Sequence, residues 1–506
     1  MATTRIAKLC TTVSLLSLSL VPVMSYAEET KDWKFSPTLM LGLDYTNNLD
    51  LSATDKTESF ISRVAPGVNI RRDGRYLKTS VNYQLQLVDY SASDRSDTYF
   101  HNLNAFADAE LVEDHLFLDT RATASQQLID NRDAGTSDPS LAADNFTNTF
   151  TFAITPTWKQ RIGDYTNAGV SATYNTVIYQ TGAESSEGAG YNLFLDTKNN
   201  PNKIYWTFDL RQGGSQSSDT GNSLNKEDVV EAQLGFRYSE QLNLRAGGGY
   251  VDNHLDTPTD AAASAGSFWS AGLTWTPSTR NSFDLYYSDR LQTNTSQGAT
   301  FNHRGKRSSI SLSYQQSLTD VRQQLLEPSY TGFLVCPGGD SSSPLCQSIS
   351  AGSGQQFNPN DVVALEGFQL LPSLDEGQFI NDSVNADYRY NYSKTSLTFG
   401  VFGNRRKFQD QTNREEQDLG FRAGWGWQIS ERSEFSANYN WSVLEPDVNE
   451  TVKERDYRQG VNLGINRKLS PDASVDLVAR YNKRRSDDPS RQFEEYGAGF
   501  RFNLAF

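Results

Sequence analysis

The alternation at the end of the chain constrains its fold more than any other feature. From Tyr496 every second residue is apolar (Tyr496, Ala498, Phe500, Phe502, Leu504, Phe506), and Gly497, Gly499, Arg501, Asn503 and Ala505 lie between. Successive side chains of a strand point to opposite faces, so this stretch has one dry face and one wet face. The pattern starts early. Phe35, Pro37, Leu39, Leu41, Leu43 and Tyr45 alternate with Ser36, Thr38, Met40, Gly42 and Asp44, and Leu77 to Leu87 repeats it. A chain built almost wholly of such strands must cover its dry face. Lipid covers it when the sheet closes into a barrel, the one sheet form that satisfies its backbone in a bilayer.

Composition agrees. Aromatics are abundant, with 27 Phe and 24 Tyr, and only 3 Cys occur. The net charge of −15 argues against nucleic acid as a partner. Acidic surface loops serve solubility or bind divalent cations that bridge to lipopolysaccharide. Arg5 and Lys8, an apolar run from Val13 to Val23, and Ser25-Tyr26-Ala27 predict a cleaved signal peptide over residues 1–27. Cys10 precedes most of that run and does not suit a lipoprotein. Residues 28–34 are expected to be a short periplasmic segment and residues 35–506 the barrel. No later stretch reaches the roughly 20 apolar residues of a membrane helix.

Short turns are predicted after every second strand, at residues 112–114, 161–164, 199–202, 239–241 and 277–280. Longer polar connections, such as 130–145, 180–188, 213–225 and 252–265, lie between them. Short turns on one side and long loops on the other mark an outer-membrane barrel. Further short turns at 391–394, 430–433 and 469–472 fit the alternation only with one more strand between Ser317 and Phe379. Residues 320–330 are the expected place, although Val321, Gln323 and Leu325 alternate poorly. The expectation is an all-β, transmembrane, antiparallel up-and-down barrel of about 22 strands (about 20–24), with both termini periplasmic. Residues 331–377 form the longest predicted loop. Its Cys336 and Cys346 are expected to form a disulfide in an oxidising compartment.

The terminal Phe502, Leu504 and Phe506 resemble the signal read by the outer-membrane barrel assembly machinery, which makes that machinery and outer-membrane lipids expected partners. Longer stretches carry a second resemblance: Tyr76–Gln86, Ala109–Asp119, Gly266–Ser278, and His303-Arg304 followed by Ser311–Tyr314. Across nearly the whole mature chain the sequence is similar to the outer-membrane barrels associated with the PEP-CTERM/exosortase system. The resemblance implies a Gram-negative outer membrane and a pathway linked to exopolysaccharide. It supplies no catalytic motif and no cofactor.

The residues themselves point away from enzyme chemistry. His101, His115, His254 and His303 lack flanking nucleophile or carboxylate motifs and are expected to be rim polar residues. No metal-ligand spacing occurs, and Asp252, Asp256 and Asp260 read as a solvated acidic loop. The wet face is more informative. It carries Arg63, Arg121, Arg211, Arg245, Arg422, Arg458, Arg480 and Arg501, together with Asp119, Asp209, Asp284, Asp418, Asp456, Asp476 and Glu495. Arg63, Arg121, Arg211, Arg245, Arg422, Arg458, Asp476, Arg480 and Arg501 are the predicted pore lining, with Arg458 and Asp476 as an expected cross-strand pair. Trp158, Trp206, Trp269, Trp275, Trp425, Trp427 and Trp441 on the dry face suit interfacial girdles.

Two functions follow: a conduit or structural barrel of an exopolysaccharide surface system, or a general or sugar-selective diffusion porin. A TonB-dependent transporter would match in strand number but needs a plug before the barrel. Here the first strand begins about eight residues after the predicted cut, so a plugless barrel narrowed by residues 331–377 or another long loop is expected.

Overall fold

The computed structural model describes residues 33–506 except 93–94, 134, 137, 198–201, 218–224, 255–263, 291–293, 327–332, 336–346, 349–361, 365–373, 375–377, 409–413 and 447–453. The predicted signal peptide, the Cys336–Cys346 disulfide, and Asp256 and Asp260 lie outside the described residues.

Strands follow one another along the chain. The first are β1 (Lys34–Thr46), β2 (Ser59–Asp73), β3 (Leu77–Tyr90), β4 (Thr98–Val112), β5 (Leu116–Leu128), β6 (Phe146–Ile162), β7 (Thr166–Tyr179) and β8 (Ser186–Asp196). Next come β9 (Ile204–Ser217), β10 (Asn225–Arg237), β11 (Leu242–His254), β12 (Ser264–Ser278), β13 (Asn281–Arg290), β14 (Asn294–Arg304) and β15 (Ser308–Asp320). A six-residue helix α1 (Val321–Leu326) follows. Three short strands, β16 (Phe333–Val335), β17 (Gln347–Ser348) and β18 (Val362–Ala364), make a small separate sheet. The chain finishes with β19 (Gln378–Tyr392), β20 (Thr395–Phe408), β21 (Glu415–Ser430), β22 (Ser433–Glu445), β23 (Asp456–Ser470), β24 (Ala473–Ser486) and β25 (Phe493–Ala505).

The remaining 22 strands form one antiparallel sheet. β1 pairs with β2 on one side and with β25 on the other, from Thr38↔Ala505 to Thr46↔Gly497. That closes the barrel and leaves no edge strand, the condition lipid imposes. Register assigns the faces. Leu43 is 49% exposed and its neighbour Asp44 1%, so the leucine row looks out to lipid and the Asp44 row looks into the lumen. The start of β1, the end of β25 and the described short turns share one end.

The described part of the strand expected at residues 320–330 is not a new strand: residues 321–326 are helical. β15 runs to Asp320 and pairs directly with β19, and the chain then turns into α1. The Asp320 carboxylate accepts a hydrogen bond from Gln323 N at 2.6 Å, capping a run of good helix formers. The alternation of turns holds without that strand because residues 305–307 make a short turn between β14 and β15.

On the lumen face several aromatic rings lie over a glycine directly across the ladder. Tyr205 covers Gly235 and Phe268 covers Gly249. A Cβ at position 235 would collide with the Tyr205 ring, which is fixed by Asn243 Nδ2 donating to its hydroxyl at 2.8 Å and by Arg237 over its face. Gly235→Ala is therefore expected to destabilise the barrel by about 1–3 kcal/mol, the usual cost of overpacking. Urea unfolding in lipid vesicles reads this directly. In a Tyr205→Ala background the added cost should vanish; an equal cost there would mean that the ring is not the obstacle.

Candidate functional site

The site is built where residues 129–145 fold inward from the β5–β6 connection. Its neck is pinched: Ile129 N donates to Asn145 O at 2.9 Å, and Asp130 N donates to Asn145 Oδ1 at 3.0 Å. Beyond the neck the segment crosses to the wall formed by β1, β2 and β23 to β25. Leu141, fully buried, packs in a cluster with Leu49, Ile61, Val88, Tyr90, Phe100 and Phe493. Ala142 N donates to Leu49 O at 3.0 Å.

Charge does the rest. Asp138 Oδ2 accepts from Arg63 Nη2 at 2.7 Å and from Arg480 Nη1 at 3.1 Å. Its Oδ1 accepts from Ser140 Oγ at 2.7 Å. Burial alone would raise the Asp138 carboxyl, but Arg63 and Arg480 outweigh it and hold the group well below the usual carboxylate range. Behind the two arginines stand strand-borne carboxylates. Arg63 Nε lies 2.8 Å from Asp44 Oδ2 in an ion pair, and Arg480 Nε donates to Glu495 Oε1 at 3.0 Å. Glu495, fully buried, also accepts from Thr46 Oγ1 at 2.9 Å and Asn482 Nδ2 at 2.8 Å.

A second foot of the loop rests on Arg458 and Arg484, which face each other across β23 and β24. Arg458 Nη2 donates to Asn131 O at 2.6 Å. Arg484 donates to Asp133 O at 2.6 Å and Arg132 O at 2.8 Å, and pairs with Asp456 Oδ2 at 2.5 Å. Here backbone carbonyls stand against guanidinium groups, a charge-assisted contact.

The other predicted lining residues also sit on the lumen face, farther from the loop. Arg121 pairs with Asp119 at 3.2 Å, Arg211 with Glu231 at 3.6 Å, Arg245 with Asp284 at 3.3 Å and Arg422 with Asp387 at 2.7 Å. These pairs are partly water-exposed, and each contributes little to stability. The expected Arg458–Asp476 pair does not form. Arg458 faces Arg484, and Asp476 faces Asn466 and Arg501 and accepts from Asn466 Nδ2 and Asn503 Nδ2, each at 2.6 Å.

From the opposite wall α1 reaches β7. Arg322 Nη1 donates to Asn175 Oδ1 at 2.5 Å, and Arg406 Nη2 donates to the buried Gln324 Oε1 at 3.3 Å. Val321 packs with Leu374, Phe379 and Phe408, and Leu374 N donates to Ile129 O at 3.2 Å. The lumen is thus crossed from both sides at its long-loop end.

On the outer face, Phe500 and Phe506 are exposed and Phe502 and Leu504 half-buried. Trp158, Trp206, Trp269, Trp275, Trp425 and Trp427 are exposed there, and Trp441 is half-buried. His101 stacks with Tyr83 and His115 with Trp158. His303 lies at the short-turn end of β14, with Nδ1 2.6 Å from Asn281 Oδ1. His254 ends β11 rather than lying in a loop. Among the described residues no group of His, Cys, Asp and Glu is placed to hold a metal ion. Sequence reading missed Asp138 and Arg484. Arg484 continues the inward row of Arg480 and Asn482 and was open to detection. Asp138 carried only the weak signal of Asp-Pro-Ser, a turn sequence whose carboxylate bonds locally.

No family model matches the chain, and neither does any curated protein compared with it. Solved structures do. The FrpB iron transporter from Neisseria meningitidis (F5-1 variant) aligns with a TM-score of 0.55 at 10% identity, over 94% of this chain and 83% of that one. A mutant ferric enterobactin receptor from Pseudomonas aeruginosa aligns with a TM-score of 0.51 at 9% identity, over 94% and 80%. At such identity the likeness is one of fold, and it places this chain among large closed barrels of the outer-membrane kind.

Proposed function

We propose that this chain is an exported Gram-negative outer-membrane conduit for polar, saccharide-like polymers. It would serve the exopolysaccharide and exosortase surface system whose barrels its sequence resembles. The observation that carries the reading is the inward loop 129–145, clamped across a lumen wall lined with paired charges. Such a wall offers hydrogen bonds to hydroxylated chains and nothing to apolar ones, and a clamped loop suits a passage that opens on demand. In this reading the loop and α1, not a separate plug domain, narrow the barrel. The iron and enterobactin of the structural neighbours do not transfer, because only the fold is shared.

A diffusion porin is the second reading, favoured by the water-exposed pairs Arg245–Asp284 and Arg422–Asp387 in the rest of the lumen. Planar-bilayer conductance of the refolded protein separates the two. Ile129 and Asn145 already bond each other, so a short Gly-Ser turn can replace residues 130–144 without strain. The intact barrel is expected to conduct little, and the replaced one several-fold more. A wide steady current through the intact barrel favours the porin; unchanged conductance after replacement overturns the gated conduit.

A further inference from the structure

We propose that Arg63 and Arg480 form a carboxylate-binding site on the lumen wall, filled by Asp138 in the closed barrel and by the carboxylates of an acidic saccharide when the loop leaves. This deepens the conduit reading and rests on it.

The wall itself builds the site. Arg63 uses Nε on Asp44, and Arg480 uses Nε on Glu495, which Thr46 and Asn482 hold in turn. All of these residues belong to strands, so both guanidinium groups stay aimed after the loop is gone. What remains free is the far edge of each fork. Those two edges converge on a single oxygen, Asp138 Oδ2. Two oriented guanidinium groups on one carboxylate are a recognition geometry, stronger and more selective than neutral contacts. A loop that needed only anchoring had the apolar cluster around Leu141.

The surroundings name the class of ligand. Ser140 and Tyr90 stand beside the carboxylate, with Tyr90 Oη donating to Ser140 O at 3.0 Å. Four residues along β24, about 13 Å at the rise of a strand, Arg484, already paired with Asp456, and its neighbour Arg458 donate to loop carbonyls. A chain carrying carboxylates and many hydroxyls can replace both sets of contacts in sequence. The loop therefore mimics the ligand it excludes. The protein's net charge of −15 gathers no polyanion on its own, so capture depends on this local site.

The test uses the full chain as Asp138→Asn, which weakens the occupant and leaves the arginines. Oligogalacturonate is compared with a neutral glucose oligomer of equal length, by block of bilayer current and by calorimetry in detergent. The acidic oligomer is expected to bind at least about tenfold more tightly, since its carboxylates accept charged hydrogen bonds that the neutral oligomer cannot. Adding Arg480→Lys keeps the charge beside Glu495 but loses the fork, and it should abolish the preference. Circular dichroism and resistance to SDS unfolding confirm that each variant is folded. Equal binding of both oligomers, or a preference that survives Arg480→Lys, overturns the proposal. Calorimetry decides this even if no current flows, whereas a silent loop-replaced barrel with intact acid binding would sink the conduit reading alone.

Discussion

Replacing Arg484 with alanine is expected to cost the barrel about 3–5 kcal/mol, the usual result of breaking a buried ion pair from one side. Arg484 is 1% exposed and Asp456 fully buried, and they meet at 2.5 Å. Alanine would take away the ion-pair partner of the buried Asp456 carboxylate. It would also remove the donors to Asp133 O and Arg132 O, so one foot of the loop loses its hold. Two readouts should move together. The urea midpoint in lipid vesicles falls, and limited proteolysis cuts within residues 130–144 where the intact protein resists. The pair Arg484→Met with Asp456→Leu separates the causes: it removes both charges and should recover most of the stability while leaving the loop exposed to protease. A double variant as unstable as Arg484→Ala would show that the buried carboxylate is not the source of the loss.

How much of this was legible in the sequence follows from the range of each interaction. The strands were readable because a period of two is a local signal, repeated wherever one face meets lipid and the other water. A strand at residues 320–330 follows from turn alternation only when the turn at 305–307 is left out of it, and residues 321–326 form helix α1 instead. Its own residues, a capping Asp followed by Val-Arg-Gln-Gln-Leu-Leu, favoured a helix over a strand. The wet-face arginines were visible by parity, but their grouping was not. Asp138 meets Arg63 across 75 residues and Arg480 across 342. No periodicity reports a contact of that separation, since it depends on closure of the whole sheet bringing β24 near β2, with β25 and β1 between them. The sequence therefore showed which residues face the lumen and could not show which loop would lie on them.

Acid is expected to open the barrel, with conductance rising several-fold as the pH falls from about 7 to about 3. The sign follows from Asp138. Its carboxyl is held below the ordinary value of about 3.9 by Arg63 and Arg480 once the loop is docked. A group depressed in the docked state contributes its stabilisation fully above the ordinary value and loses it as the pH falls below, by up to ~1.4 kcal/mol per unit. Protonation leaves Arg63 and Arg480 facing a neutral acid, and the loop then depends on the Leu141 cluster and the carbonyls on Arg458 and Arg484. Asp44, Glu495 and Tyr90 face the same arginines or the carboxyl itself. Asp138→Asn isolates the loop's share, because asparagine does not titrate. That variant should conduct well at neutral pH and change little on acidification. If the intact protein and Asp138→Asn gave the same pH curve, Asp138 would not be the latch.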